Sequence, residues 1–226
     1  MKNNSGIDVF MNICNYVMWF FIGNLYFLIC NLPLCIFFIF IGIKNVEAAL
    51  PLFLLVSLPF GPAVTALLYA MGKLVKEKDL SITKCFFTSY KTNFKQSLLL
   101  WTLQLLLLTI LHLNIQFFKF SAFGYLLMPF FYISIALISV LGLYAYPLIA
   151  KFHISLLELI KASLTISIYK FPITIGNIII LVFAMILIDA KPSYAVLFIS
   201  SITCYLLMFL QKDLHKELEL KSASNS

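Results

Sequence analysis

Arginine is absent from this sequence, and charge of either sign is scarce: 11% of the 226 residues are charged, and all sixteen basic ones are lysine. The lack of arginine argues against phosphate or nucleic-acid recognition through its bidentate fork, so no nucleic-acid partner is expected. Together with Ile- and Phe-heavy usage, it hints at a bacterium with an A/T-rich genome. Cysteine pairing is missing too. Cys14, Cys30, Cys35, Cys85 and Cys204 form no CxxC and sit mostly in apolar runs, whereas a zinc site or disulfide frame needs tighter, polar-flanked spacing. No short motif implies a triad, a P-loop or a metal-binding helix. The expectation is therefore a protein that is not an enzyme, with no catalytic or metal residues and no cofactor. Nor does the N-terminus read as a cleaved signal peptide: it carries Lys2 and Asp8, lacks a small-x-small site, and its apolar run is too long.

What the sequence has in excess is apolar surface. With 62% hydrophobic residues and a mean hydropathy of +1.02, a chain of this length has more apolar surface than a water-soluble fold hides. Lipid is the solvent that removes the problem. Several apolar runs exceed the roughly 18 uncharged residues expected of a crossing helix. They give an all-α membrane protein, one membrane domain over 1–226, with about six transmembrane helices at 13–43, 50–71, 96–118, 122–150, 172–188 and 193–210. The first is too long for a straight crossing at 1.5 Å per residue, and Pro33 is expected to kink it.

Lysines set the orientation. Thirteen lie at the N-terminus, in 72–95, in 151–170 and in the C-terminal tail, against three (Lys44, Lys119, Lys191) on the alternate side. By the positive-inside rule this places both termini in the cytoplasm of a bacterial cell membrane. The same rule explains the formal net charge of +7.

The two basic connections have helical periodicity. In 80–95, Ile82, Phe86, Tyr90 and Phe94 recur every four residues, with Lys84, Lys91 and Lys95 on another face. In 154–170, Leu156, Ile160, Leu164 and Ile168 do the same, opened by Ser155-x-x-Glu158 in the form of a capping box. Both are expected to be amphipathic helices at the cytoplasmic interface, with lysines facing anionic lipid or a protein partner and aromatics at the acyl boundary. A shift of 74 residues superposes the two apolar stripes and Ser81 on Ser155. A repeated unit and two independent connectors both account for it.

Candidate site residues are polar but neutral. No Asp, Glu, Lys or His lies near the middle of a span, although coupled transporters usually keep one there. His112 falls near the outer interface. Asn24 and Asn31, seven apart, share a helix face, and Gln104 and Asn177 lie inside later spans. Such groups tie helix to helix or meet a solute. In Leu58-Pro59-Phe60-Gly61-Pro62-Ala63, Pro59 and Pro62 must interrupt the backbone ladder. The break either borders a binding site or is a kink that lets Gly61 pack closely. Asn24, Asn31, Pro59, Gly61, Pro62 and Gln104 are thus the binding candidates.

The run Pro59-Phe60-Gly61-Pro62-Ala63-Val64-Thr65-Ala66-Leu67-Leu68-Tyr69, followed by Lys-rich sequence and Phe86-Phe87-x-x-Tyr90-Lys91-x-Asn93-Phe94-Lys95-Gln96, resembles the YesL-like family of bacterial membrane proteins. Tyr144–Phe152 resembles that family's second signature, and Asn24-Leu25 through Leu32-Pro33 its opening helix. One departure is that residues 34–57 intervene before Gly-Pro-Ala, so the count of six spans rests on this sequence alone. The family has no assigned function and is often encoded beside sugar-binding ABC importers and polysaccharide-degrading enzymes. The resemblance implies an accessory or regulatory role in carbohydrate import, with ABC transporter subunits as partners. The rival expectation is a self-standing permease for a neutral solute such as a sugar.

Overall fold

The computed structural model describes residues 4–77, 81–119, 121, 124–152 and 154–224. Lys2, Lys78 and the first positions of the 80–95 and 122–150 segments lie outside the described residues. The described elements are helical: α1 (Asn4–Cys30), α2 (Leu32–Phe40), α3 (Leu50–Val56), α4 (Phe60–Lys76), α5 (Ile82–Phe118), α6 (Gly124–Lys151), α7 (Leu156–Tyr169), α8 (Phe171–Ala190), α9 (Pro192–Leu210) and α10 (Lys212–Ser224). By length and apolar character, Phe10–Cys30, Leu50–Lys76, Ile82–Phe118, Gly124–Lys151 and Phe171–Ala190 each suffice to cross a bilayer. A sixth is counted if Val196–Leu210 and Lys212–Leu220, which meet at a 52° bend, belong to one span. We read α9 as its apolar part and α10 as lying beyond it, because Lys212, Asp213, Lys216 and Glu217 are costly in lipid.

Prolines and glycines decide where the long apolar runs break. The first run divides at Asn31, since Pro33 starts the next helix without an N–H to donate back. Gly42, at φ 78°, turns the chain between α2 and α3, whose Phe37 and Phe53 rings meet at 5.7 Å. Residues 34–57 thus form most of a short helical hairpin. Each of its arms is too short to cross alone.

The segment 80–95 is not a separate interfacial helix. Ile82–Phe118 is one unbroken helix of 37 residues, about 55 Å long at 1.5 Å per residue. Nothing around Lys95-Gln96-Ser97 stops it, for there is neither proline nor glycine. In the second copy of the pattern, Pro172 stands where Leu98 stands in the first, and the chain breaks at Lys170 into α7 and α8. A single proline separates the two outcomes. The 74-residue shift also superposes Cys85 on Leu159 and Ser89 on Ser163, all buried.

The protein core lies where α1, α4, α5, α6 and α9 meet, around Leu67, Met71, Phe86, Tyr144, Ile149 and Met208. α4 packs antiparallel on the first half of α5. Large apolar side chains such as Leu107, Ile110, Phe130, Ile179 and Phe183 point outward, as a lipid-facing surface requires.

Candidate functional site

The Pro59 break is closed by protein groups. Trp101 Nε1 of α5 donates to the Ser57 carbonyl at 2.7 Å, and the Phe60 N–H donates to the same oxygen at 3.0 Å. Pro59 caps α4 and Pro62 sits in its first turn, where a missing N–H costs least. Gly61 lies directly on α5: a Cβ there would overlap Trp101 Cβ and stand 2.8 Å from the Ser97 carbonyl oxygen. The Thr65 hydroxyl donates to the Gly61 carbonyl at 3.0 Å. The motif is a close helix contact with its backbone groups bonded.

The other polar candidates are dispersed. Asn24 Nδ2 of α1 donates to the Val196 carbonyl of α9 at 2.6 Å, and Asn31 Nδ2 donates to Phe27 O within its own turn at 2.9 Å. Gln104 joins α5 to α6 twice: its Nε2 donates to Ile138 O at 3.1 Å, and the Tyr146 hydroxyl donates to its Oε1 at 2.8 Å. Gly142 makes room for that amide, since a Cβ would lie 2.8 Å from Gln104 Nε2. Asn177 is fully buried in α8 beside Tyr144. Of the six binding candidates, Gln104 alone lines the cavity of about 440 Å³ between α4, α5, α6, α8 and α9. Phe60, Leu67, Leu181 and Met185 make its walls largely apolar, and Tyr146 and Thr203 add hydroxyls.

The basic stripe survives with different surroundings. Lys84, Lys91 and Lys95 are exposed along one face of α5. Phe86 is fully buried against Tyr26 and α4, so it is a core residue and does not reach the acyl boundary. Tyr90 is half-buried, and exposed Phe94 lies nearer the lysine stripe than opposite it. On α7 the capping box forms, with Ser155 Oγ accepting from the Glu158 N–H and Glu158 accepting from the Ser155 N–H at 3.1 Å. Its protein-facing side is Leu159, Ser163 and Ile166, whereas Leu164 and Ile168 of the expected stripe face outward.

Two charged clusters mark opposite ends of the helices. At one, His112 and Gln116 of α5 meet Glu47 at 3.1 and 2.7 Å, holding its carboxyl below the usual range. At the other, the lysine-rich ends of α4 and α6 and the α7–α8 junction are gathered by α10. Lys76 Nζ lies 2.7 Å and Lys151 Nζ 3.6 Å from Glu219, and Lys170 lies 3.0 Å from Glu217. Gln211 Nε2 donates to Leu143 O at 3.2 Å, while His215 is buried with both ring nitrogens unpaired. Burial pushes its imidazole down to about 3, with Lys151 and Lys76 acting in the same direction. Lys76, Lys151 and Glu219 come together only through tertiary structure, and no local spacing signals them.

This architecture, long apolar helices with large apolar side chains facing outward, is that of an all-α multi-pass membrane protein. Residues 20–115 match the family model described as "Protein of unknown function, DUF624", the family to which YesL-like proteins belong. A search of the curated proteins gives no match, and neither does a search of the solved structures.

Proposed function

We propose that the chain is a non-enzymatic accessory or regulatory component of carbohydrate ABC import, in a bacterial cytoplasmic membrane with both termini inside. The link to carbohydrate import rests on the resemblance to YesL-like proteins. The accessory reading is supported by how the polar groups are spent. Asn24, Trp101 and Gln104 bond neighbouring helices, leaving a stripe of unburied lysines at Lys84, Lys91 and Lys95 as the contact surface. Thr88 on the same face and Phe87 and Phe94 beside it are exposed, giving a mixed basic and aromatic surface for an acidic partner.

The second reading is a permease for a neutral solute, which the cavity beside Gln104 favours. Its largely apolar walls offer a sugar few hydrogen bonds. Purified protein in liposomes separates the two. The accessory reading expects no sugar flux above protein-free vesicles, and saturable flux abolished by Gln104→Leu would establish the permease.

A further inference from the structure

Where α4, α6 and α10 meet, two lysines share one carboxylate. Lys76 Nζ lies 2.7 and 3.0 Å from the two Glu219 oxygens, and Lys151 Nζ lies 3.6 Å from the nearer one. Lys151 is nearly enclosed, its side chain 13% exposed, whereas that of Glu219 is 42% exposed. Beside them is a space of about 240 Å³ that Lys73, Lys76, Lys151 and Tyr69 line together with Glu77 and Glu219. A second space of about 250 Å³ shares Tyr69 and Lys151 and adds Thr88, Ser89, Thr92 and Asn93. The first holds roughly eight waters at about 30 Å³ each. With Glu219 in place, three lysines face two carboxylates around it; without Glu219 they face one.

We propose that the Lys76–Lys151 pair is a binding site for a phosphate monoester, which displaces the Glu219 carboxylate and so undocks the C-terminal helix. A phosphate monoester carries about −1.5 to −2 charge at pH 7, a closer match to two lysines than one carboxylate. Without arginine the recognition is by point charge, as lysines bind phosphate elsewhere. The second space adds polar lining from Tyr69, Thr88, Thr92 and Ser89, whose hydroxyl accepts from Asn93 Nδ2 at 3.1 Å. The carboxylate already touches water, so an incoming phosphate reaches it directly. Docking α10 buries His215, and Gln211 Oε1 just before it, without hydrogen-bond partners, a cost that offsets part of what its ion pairs and buried Leu214 supply. The phosphate source is either a soluble ester or the headgroup of an anionic lipid. The inference goes beyond the accessory reading and stands without it.

The test titrates purified full-length protein in neutral detergent with glycerol phosphate, followed by ³¹P NMR at fixed ionic strength. A parallel arm uses phosphatidylcholine vesicles with and without phosphatidic acid. Saturable binding is expected in one arm, and which arm identifies the source. Glu219→Gln should tighten it about tenfold, a gain that misfolding does not mimic. Lys151→Gln should weaken it at least tenfold, Lys151→Arg should retain it, and Lys44→Gln, at the opposite end of the helices, should leave it unchanged. No saturable binding in either arm by wild type and Glu219→Gln would overturn the proposal, as would binding indifferent to Lys151→Gln.

Discussion

Replacing Gly61 with alanine or leucine should separate α4 from α5, because what a side chain meets there cannot move. The new Cβ would overlap Trp101 Cβ and lie 2.8 Å from the Ser97 carbonyl, both fixed to the α5 backbone. Overpacking of this kind costs about 1–3 kcal/mol. Moving Trp101 also strains its bond to the Ser57 carbonyl, worth roughly 1 kcal/mol, with a larger penalty if the indole N–H is left without a partner. Gly61→Ala should therefore cost about 2 kcal/mol and Gly61→Leu more, a large share of a typical net stability of about 5–15 kcal/mol. Gly72→Ala is the matched control. Its Cβ would crowd Met208 Cε just as closely, but that is the free end of a flexible side chain, so the cost should stay below about 1 kcal/mol. Thermal unfolding in detergent, followed by the monodisperse fraction on size exclusion, reads the difference. A Gly61→Leu protein as stable as wild type would refute the close-contact reading, as would Gly72→Ala being equally damaging. Normal stability with lost function would make the Pro59 break a binding site instead.

Reporter fusions after residue 90, residue 160 and the C-terminus should report cytoplasm, and those near Asn45 and Ala190 the exterior; an external signal at residue 90 would reverse the topology. Gln104→Leu should destabilise by about 1–3 kcal/mol in the same thermal assay, because it strands the Tyr146 hydroxyl and removes the bond to the Ile138 carbonyl. Acidification should undock α10. The His215 pKa falls from its ordinary 6.5 to about 3 on docking, so the stability held above pH 6.5 is lost as pH drops below it, by at most tenfold in the docking equilibrium per pH unit. Glu219, held below its ordinary carboxyl range chiefly by Lys76, adds to the loss only below about 4.5. Hydrogen exchange of α10 amides, corrected for intrinsic pH dependence, should show that His215→Leu removes the loss between pH 6.5 and 4.5; an unchanged profile in that variant would exclude His215 as the cause.

The sequence was most informative where a feature is local. Ser155 and Glu158 announce a helix start by their spacing, and that cap is present. Pro33 and Pro59 announce breaks, which fall within two residues of them. The continuity of α5 is hidden because hydropathy falls before Gln96 although no proline or glycine interrupts the helix there. A change of solvent exposure looked like a change of element. Phe86 was misplaced for a related reason: periodicity identifies an apolar face without saying whether protein or lipid covers it. Trp101 bonding Ser57, and Lys76 meeting Lys151 and Glu219, join residues 44 to 143 positions apart, which no local pattern encodes.

Crosslinking in native membranes, followed by affinity capture and identification of what comes with the chain, tests the accessory role most directly. Subunits of a carbohydrate ABC importer should be recovered with the wild-type protein. They should be lost with Lys84, Lys91 and Lys95 all changed to Gln, while that variant still inserts in the same orientation. Capture of no transporter subunit, or equal capture by the triple variant, would contradict the account.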